Sequence, residues 1–252
     1  MDIHKPKAAH SLREFLIEIG TIICGILIAL SLEQGVEWLH WQHEVELTHE
    51  TLKPEFLRIV RNVGRKDADS PCLIARMNDM QSVLQEAENT GRLPAMGPLP
   101  ELGNDPWTPR AWDGIVSSQV LAHLPRHEAL NASGVVSTAQ YLGRLRDEAI
   151  AQWSQLATLN GPSRRVTSSE LTAYKAALAK TGIQLNTQRA IADAQVARIL
   201  ETGLATRAEV EDAWRVGVDQ GRREPICQPI SREPSYFSAS LQFINRPTKL
   251  PF

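Results

Sequence analysis

Hydrophobic and polar positions divide the chain into one unbroken apolar run and a series of amphipathic stretches. The run is Phe15 to Leu32, FLIEIGTIICGILIALSL, interrupted only by Glu18, Thr21, Cys24 and Ser31. Eighteen residues at about 1.5 Å each reach about 27 Å, close to the ~30 Å hydrocarbon core of a bilayer. The run therefore predicts a transmembrane helix over 15–32. A buried helix of a soluble protein would carry a polar face, which this run lacks. A cleavable signal peptide is the other alternative, because Ala29-Leu30-Ser31 has the small-residue spacing of a cleavage site. The run's length, its acidic residue and its passage into a helical pattern without a turn favour an uncleaved anchor.

Beyond the run the period stays helical. Val36, Leu39, His43 and Leu47 share one face, and Lys53-Pro54 predicts a kink or an end. Pro54 opens a helix through Phe56, Leu57, Val60 and Val63, stopped at Gly64 and followed by a charged turn, Arg65 to Ser70. Pro71 opens the next, with Leu73, Met77, Met80 and Leu84, ending at Gly91. Residues 93–105 are rich in proline and glycine and read as a loop, either a lid or a long connection. Thr108-Pro109 starts another helix, with Trp112, Val116, Val120 and Leu124 in one row; Pro125 interrupts it and Asn131 to Gly134 form a turn.

A long helix to about Leu159 follows, carrying Val136, Ala139, Leu142, Leu145, Ile150, Trp153 and Leu156. Capping boxes Thr167/Glu170 and Thr206/Glu209 mark two later starts, and Gly182 and Gly203 mark stops. From Glu224 the chain is proline-rich. No window alternates as a strand does. The fold class is all-α, with an N-terminal transmembrane helix extending into a helical bundle. The expected division is 1–14 N-terminus, 15–32 span, 33–223 helical domain and 224–252 irregular tail.

Charge orients the span. Lys5, Lys7 and Arg13 precede it, whereas Glu33, Glu37, Glu44, Glu46 and Glu50 follow before the first lysine, Lys53. The positive-inside bias keeps the N-terminus in the cytoplasm and exports the rest, in a bacterial cell from the inner membrane into the periplasm. A hydrophobic content of 42% and a charged content of 22% suit a packed exported domain. A net charge of −2 without a basic run points away from nucleic acid. Of the three cysteines, Cys24 lies in the span. Cys72 and Cys227 lie in the exported part, where an oxidising compartment favours pairing them; two free buried thiols are the alternative.

Candidate chemistry is sparse. Glu18, Thr21, Gly25 and Ala29 form one helical stripe, and Gly25-xxx-Ala29 is a small-xxx-small pair that lets two helices approach; the alternative is that Gly and Ala are simply common in spans and Glu18 sits near the bilayer surface. Glu37, His40 and Glu44 share one face and are weak candidates for a divalent metal between protomers. Histidines beside Trp38 and Trp41 at a bilayer surface need no metal, so none is assigned. His123 and His127 are separated by Pro125, and Ser117, Ser118 and Ser133 lack a nucleophile elbow. No phosphate loop, dinucleotide fingerprint or CxxC occurs. No cofactor and no catalytic residue is assigned.

The segment Glu18-Ile19, then Gly25-Ile26-Leu27-Ile28-Ala29-Leu30, then Trp38 resembles the N-terminal signature of a family of uncharacterised bacterial single-pass membrane proteins. Their anchor reads E-I-x5-G-I-L-I-A-L. Trp112 to Ser118, WDGIVSS, resembles a later helical element of the same family. The resemblance implies an anchored helical domain and no activity. The chain departs from the family in the acidic stretch Glu33 to Glu50. Three functions compete: a self-associating scaffold or partner-binding subunit, a ligand-sensing accessory subunit signalling through a partner, and an anchored enzyme with a site under the 93–105 loop. Besides the bilayer, the expected partner is a second copy or another membrane protein. A buried pocket of clustered carboxylates or histidines would favour the enzyme.

Overall fold

The first 79-residue helix, α1 (Leu12–Thr90), runs through both prolines at which the sequence predicts an interruption. The computed structural model describes residues 12–230. Lys5 and Lys7, together with Pro234, Pro247 and Pro251 of the expected tail, lie outside them. Five α-helices and two short strands make up the described residues: α1, β1 (Arg92–Leu93), α2 (Trp112–Ser117), α3 (Arg126–Ala157), β2 (Arg164–Arg165), α4 (Ser168–Glu201) and α5 (Arg207–Gly221). The all-α class holds. Two units divide between Thr48 and His49, the first holding the apolar run and the second all later elements.

The uninterrupted α1 is a correction with a physical cause. A proline inside a helix costs about 3 kcal/mol or more. Around Pro54, however, Leu52, Phe56, Ile59, Val60 and Val63 are buried at helical spacing. Each such side chain contributes about 1.5–3 kcal/mol, so packing outweighs the lost hydrogen bond. Gly64 stops nothing either. It lies inside α1 because a Cβ there would meet the Trp214 carbonyl oxygen at 2.4 Å. From the other side, a Cβ at Gly217 would meet the Arg61 oxygen at 2.0 Å, and one at Gly221 the Arg65 oxygen at 2.3 Å. The glycines let α1 and α5 touch backbone to backbone.

Gly182, read as a stop, is likewise inside α4, and Asn131 to Gly134, read as a turn, lie inside α3. Gly91 and Gly203 do end helices, at φ +69° and +75°, which glycine adopts without strain. Both capping boxes form at Thr167/Glu170 and Thr206/Glu209. The 108–124 helix shrinks to α2 and a 3₁₀ turn (Val120–Ala122). Gln119 between them takes φ 64°; of the expected row Val120 and Leu124 are buried, Val116 is exposed, and Ile115 is buried in its place.

Helices α3 and α4 form an antiparallel pair. Gln188 Nε2 donates to the Leu142 carbonyl at 3.1 Å and Gln195 Nε2 to that of Val135 at 2.8 Å. Both side chains are buried, where an unpaired amide N–H would cost about 1–3 kcal/mol; the Oε1 of Gln195 has no partner. β1 and β2 pair antiparallel, Arg92 opposite Arg165, and Met96 bridges to Gly161. This patch ties the end of α1 to the α3–α4 connection. Below it lies a core that includes Leu73, Met80, Leu84, Trp153, Leu156 and Tyr174. Cys72 and Cys227 are joined by a disulfide, which fixes α1 to the 3₁₀ turn Pro225–Cys227. Ile226 and Ile230 belong to the same core, so the first residues of the proline-rich segment are built into the domain.

Candidate functional site: a buried ionic cluster and its groove

The stretch expected to be a charged turn, Arg65 to Ser70, is helical, which aligns Arg58, Asn62, Arg65 and Asp69 along α1. The 93–111 loop lies on this polar stripe. Arg58 donates to the carbonyls of Pro106 and Thr108, and Asn62 donates to Pro106 at 2.9 Å. From α3, Arg146 donates to the Asp105 carbonyl and Trp153 Nε1 to that of Pro100 at 2.8 Å. Trp107, Leu99 and Met96 are buried. The loop is a connection strapped down at both ends, with its backbone acceptors satisfied by side chains.

Beneath its end sits an ionic cluster. Arg65 Nη1 is 2.7 Å from Asp105 Oδ1 and 2.9 Å from Glu224 Oε1, and Lys66 Nζ is 3.1 Å from Asp69 Oδ2. A Cβ at Gly103 would lie 3.4 Å from Asp105 Oδ2, 3.5 Å from Lys66 Nζ and 3.7 Å from Glu224 Oε2. Asp69 is a buried carboxylate of this cluster. Burial pushes its carboxyl up to about 6, with Glu224 and Asp105 adding to the shift and Lys66 opposing it. Its Oδ1 and the Oδ2 of Asp105 have no hydrogen-bond partner in the structure. The cavity beside them, lined by Lys66, Asp69, Gly103, Arg146 and Gln188, has a volume of about 10 Å³, room for about one water.

A larger groove opens from the same residues. It lies between α1 and α4, has a volume of about 440 Å³, and shares Lys66, Asp69, Leu73, Leu185 and Gln188 with the inner cavity. Its walls include Ile74, Met77, Gly182 and Ile183. At its mouth Arg189 Nη2 is 3.4 Å from Asp67 Oδ1. Burial raises the carboxyls of Asp67 and Asp193, and Arg189 opposes both shifts.

The residues singled out in the sequence lie elsewhere. Glu18, Thr21, Gly25 and Ala29 are exposed along α1, with Thr21 Oγ1 donating to its own helix at Ile17 and no atom within 4 Å of a Cβ at Gly25. Glu37, His40 and Glu44 also lie on α1. No group of three or more acidic, histidine or cysteine side chains suited to a metal forms among the described residues. His40 instead stands 5.3 Å from the Trp41 ring. His123 follows the 3₁₀ turn and His127 opens α3. Ser117, Ser118 and Ser133 donate to the carbonyls of Gly114, Ile115 and Ala129.

Arg65, Lys66, Asp69, Asp105 and Glu224 escaped the sequence reading, because buried and solvated charges look alike in one dimension. The one available signal was the polar stripe from Arg58 to Asp69, visible once Gly64 is placed inside a helix. No family model, no curated protein and no solved structure matches this chain, so the likeness of its N-terminal segment rests on the residues of that segment alone.

Proposed function

We propose that the protein is a membrane-anchored, disulfide-braced helical domain serving as a self-associating scaffold or partner-binding subunit. One observation carries the anchoring: α1 contains a stretch with a mean hydropathy of 2.4, none of it buried. An apolar surface of that extent is stable against lipid and costly against water. The flanking charges support an N-terminus in the cytoplasm and export of the rest. The Cys72–Cys227 bond supports an oxidising compartment such as the periplasm. The exposed Glu18, Thr21, Gly25 and Ala29 stripe supports association within the bilayer. Alkaline phosphatase fused to the C-terminus is expected to be active, and an inactive fusion that is nonetheless expressed would reverse the topology. Cross-linking in membranes is expected to give a dimer that Gly25→Leu abolishes.

A second reading, a ligand-sensing accessory subunit, gains support from the groove between α1 and α4 and from Asp69, a residue that lines it and carries a buried oxygen without a partner. The third, an enzyme under the 93–105 loop, gains less. The carboxylates there are paired with Arg65 and Lys66, and the enclosed volume suits a water rather than a substrate.

A further inference from the structure

We propose that the groove between α1 and α4 binds a small amphiphile with a primary ammonium head, received by Asp69, and an alkyl body lying along Leu73, Ile74, Met77, Gly182 and Ile183. This rests on the second reading above, that the groove is a ligand site, and gives that site a ligand class.

Charge selects the head. Around the groove and the inner cavity stand four cations, Arg65, Lys66, Arg146 and Arg189, against six carboxylates, Asp67, Asp69, Asp105, Asp147, Asp193 and Glu224. Of these, Lys66, Asp69 and Arg189 line the groove itself, and Arg146, 2.6 Å from Asp147, lines the inner cavity. Each cation in the groove already faces a carboxylate, so an anionic head would find no free partner. Asp69 is 3% exposed, and only its Oδ2 is held, by Lys66. Its Oδ1 is a buried acceptor without a donor, a costly state that an incoming N–H relieves. An ammonium supplies three such donors and the missing positive charge.

Shape and polarity select the body. A volume of about 440 Å³ lies in the range of small-molecule sites. Ile74 and Ile183 are 54% and 68% exposed, so an alkyl chain laid between them removes apolar surface from water. Met77 packs against the bare Cα of Gly182: a Cβ there would meet Met77 Cε at 2.7 Å. A side chain at 182 therefore pushes Met77 and fills the channel.

The test is equilibrium dialysis of hexylamine, hexanol and hexanoate against the full chain in phosphatidylcholine nanodiscs at pH 7.5, with empty discs subtracted. Hexylamine is expected to bind once per chain, at least tenfold more tightly than hexanol, with hexanoate weakest. Asp69→Asn should bring hexylamine to the hexanol level, and Gly182→Leu should abolish both. Equal binding of the three probes to the unaltered protein overturns the ammonium preference while leaving a ligand groove standing. Tightest binding of hexanoate overturns the charge argument. Binding of none of them removes the groove reading as well.

Discussion

Gly217 of α5 stands against the carbonyl of Arg61 so closely that a Cβ built on it would lie 2.0 Å from the oxygen. No rotamer relieves such a contact, because both partners are backbone. Together with Gly64 and Gly221 it makes the α1–α5 seam a fitted joint, and helices that meet this way tolerate no added volume.

Gly217→Ala is therefore expected to destabilise the domain by at least about 1–3 kcal/mol, the range for overpacking a tight site. Gly114→Ala in α2, with nothing within 4 Å of the new atom, is the control. It should be neutral or gain up to about 1 kcal/mol from helix propensity. Urea unfolding of the full chain in detergent reads both; equal midpoints for the two variants would mean that α1 and α5 do not pack this way.

The Cys72–Cys227 bond closes a loop with a sequence separation of 155 residues. Loop-closure entropy sets a ceiling of about 5 kcal/mol on its contribution. Reduced protein should migrate more slowly than oxidised protein on a denaturing gel, and Cys72→Ala should lower the urea midpoint. Identical migration with and without reductant would show two free thiols instead.

Stability should also depend on pH through Asp69. Its folded carboxyl titrates near 6 against an ordinary value of 3.8, so between those limits the folded chain holds a proton that the unfolded chain has released. The unfolding free energy then falls as pH rises from 4 to 6, by up to about 3 kcal/mol from this group. Asp67 and Asp193, raised by burial, act in the same direction. Glu209, lowered to about 2 by hydrogen bonds from Lys53 and Thr206, and Glu88 and Glu170, lowered by hydrogen bonds from Lys175 and Thr167, act in the opposite one. Asp69→Asn should flatten most of the decline without removing it; an unchanged slope in the variant would place the effect elsewhere.

Much of the fold was legible because it is local. The apolar run, the stripe Val136 to Leu156 (with Ala149 in the core where the spacing predicts Ile150), both Thr/Glu capping boxes and the stops at Gly91 and Gly203 each depend on neighbours within a turn or two, and appear in the structure. What failed was long-range. Pro54, Pro71, Gly64 and Gly182 are breakers by propensity, yet Phe56, Val60, Trp214 and Met77 supply packing that propensity does not contain. The candidate site was illegible for the same reason. Arg65 meets Glu224 from 159 positions away, and nothing in the spacing of the two announces the pair.

The anchoring account turns on whether Phe15 to Leu32 stays on the chain and in the lipid. Its most direct test is the mass of the protein that remains with membranes washed in alkaline carbonate. The account predicts the intact 28.0 kDa chain in the pellet. Recovery in the wash, or a pelleted form shortened to begin near Leu32, would contradict it.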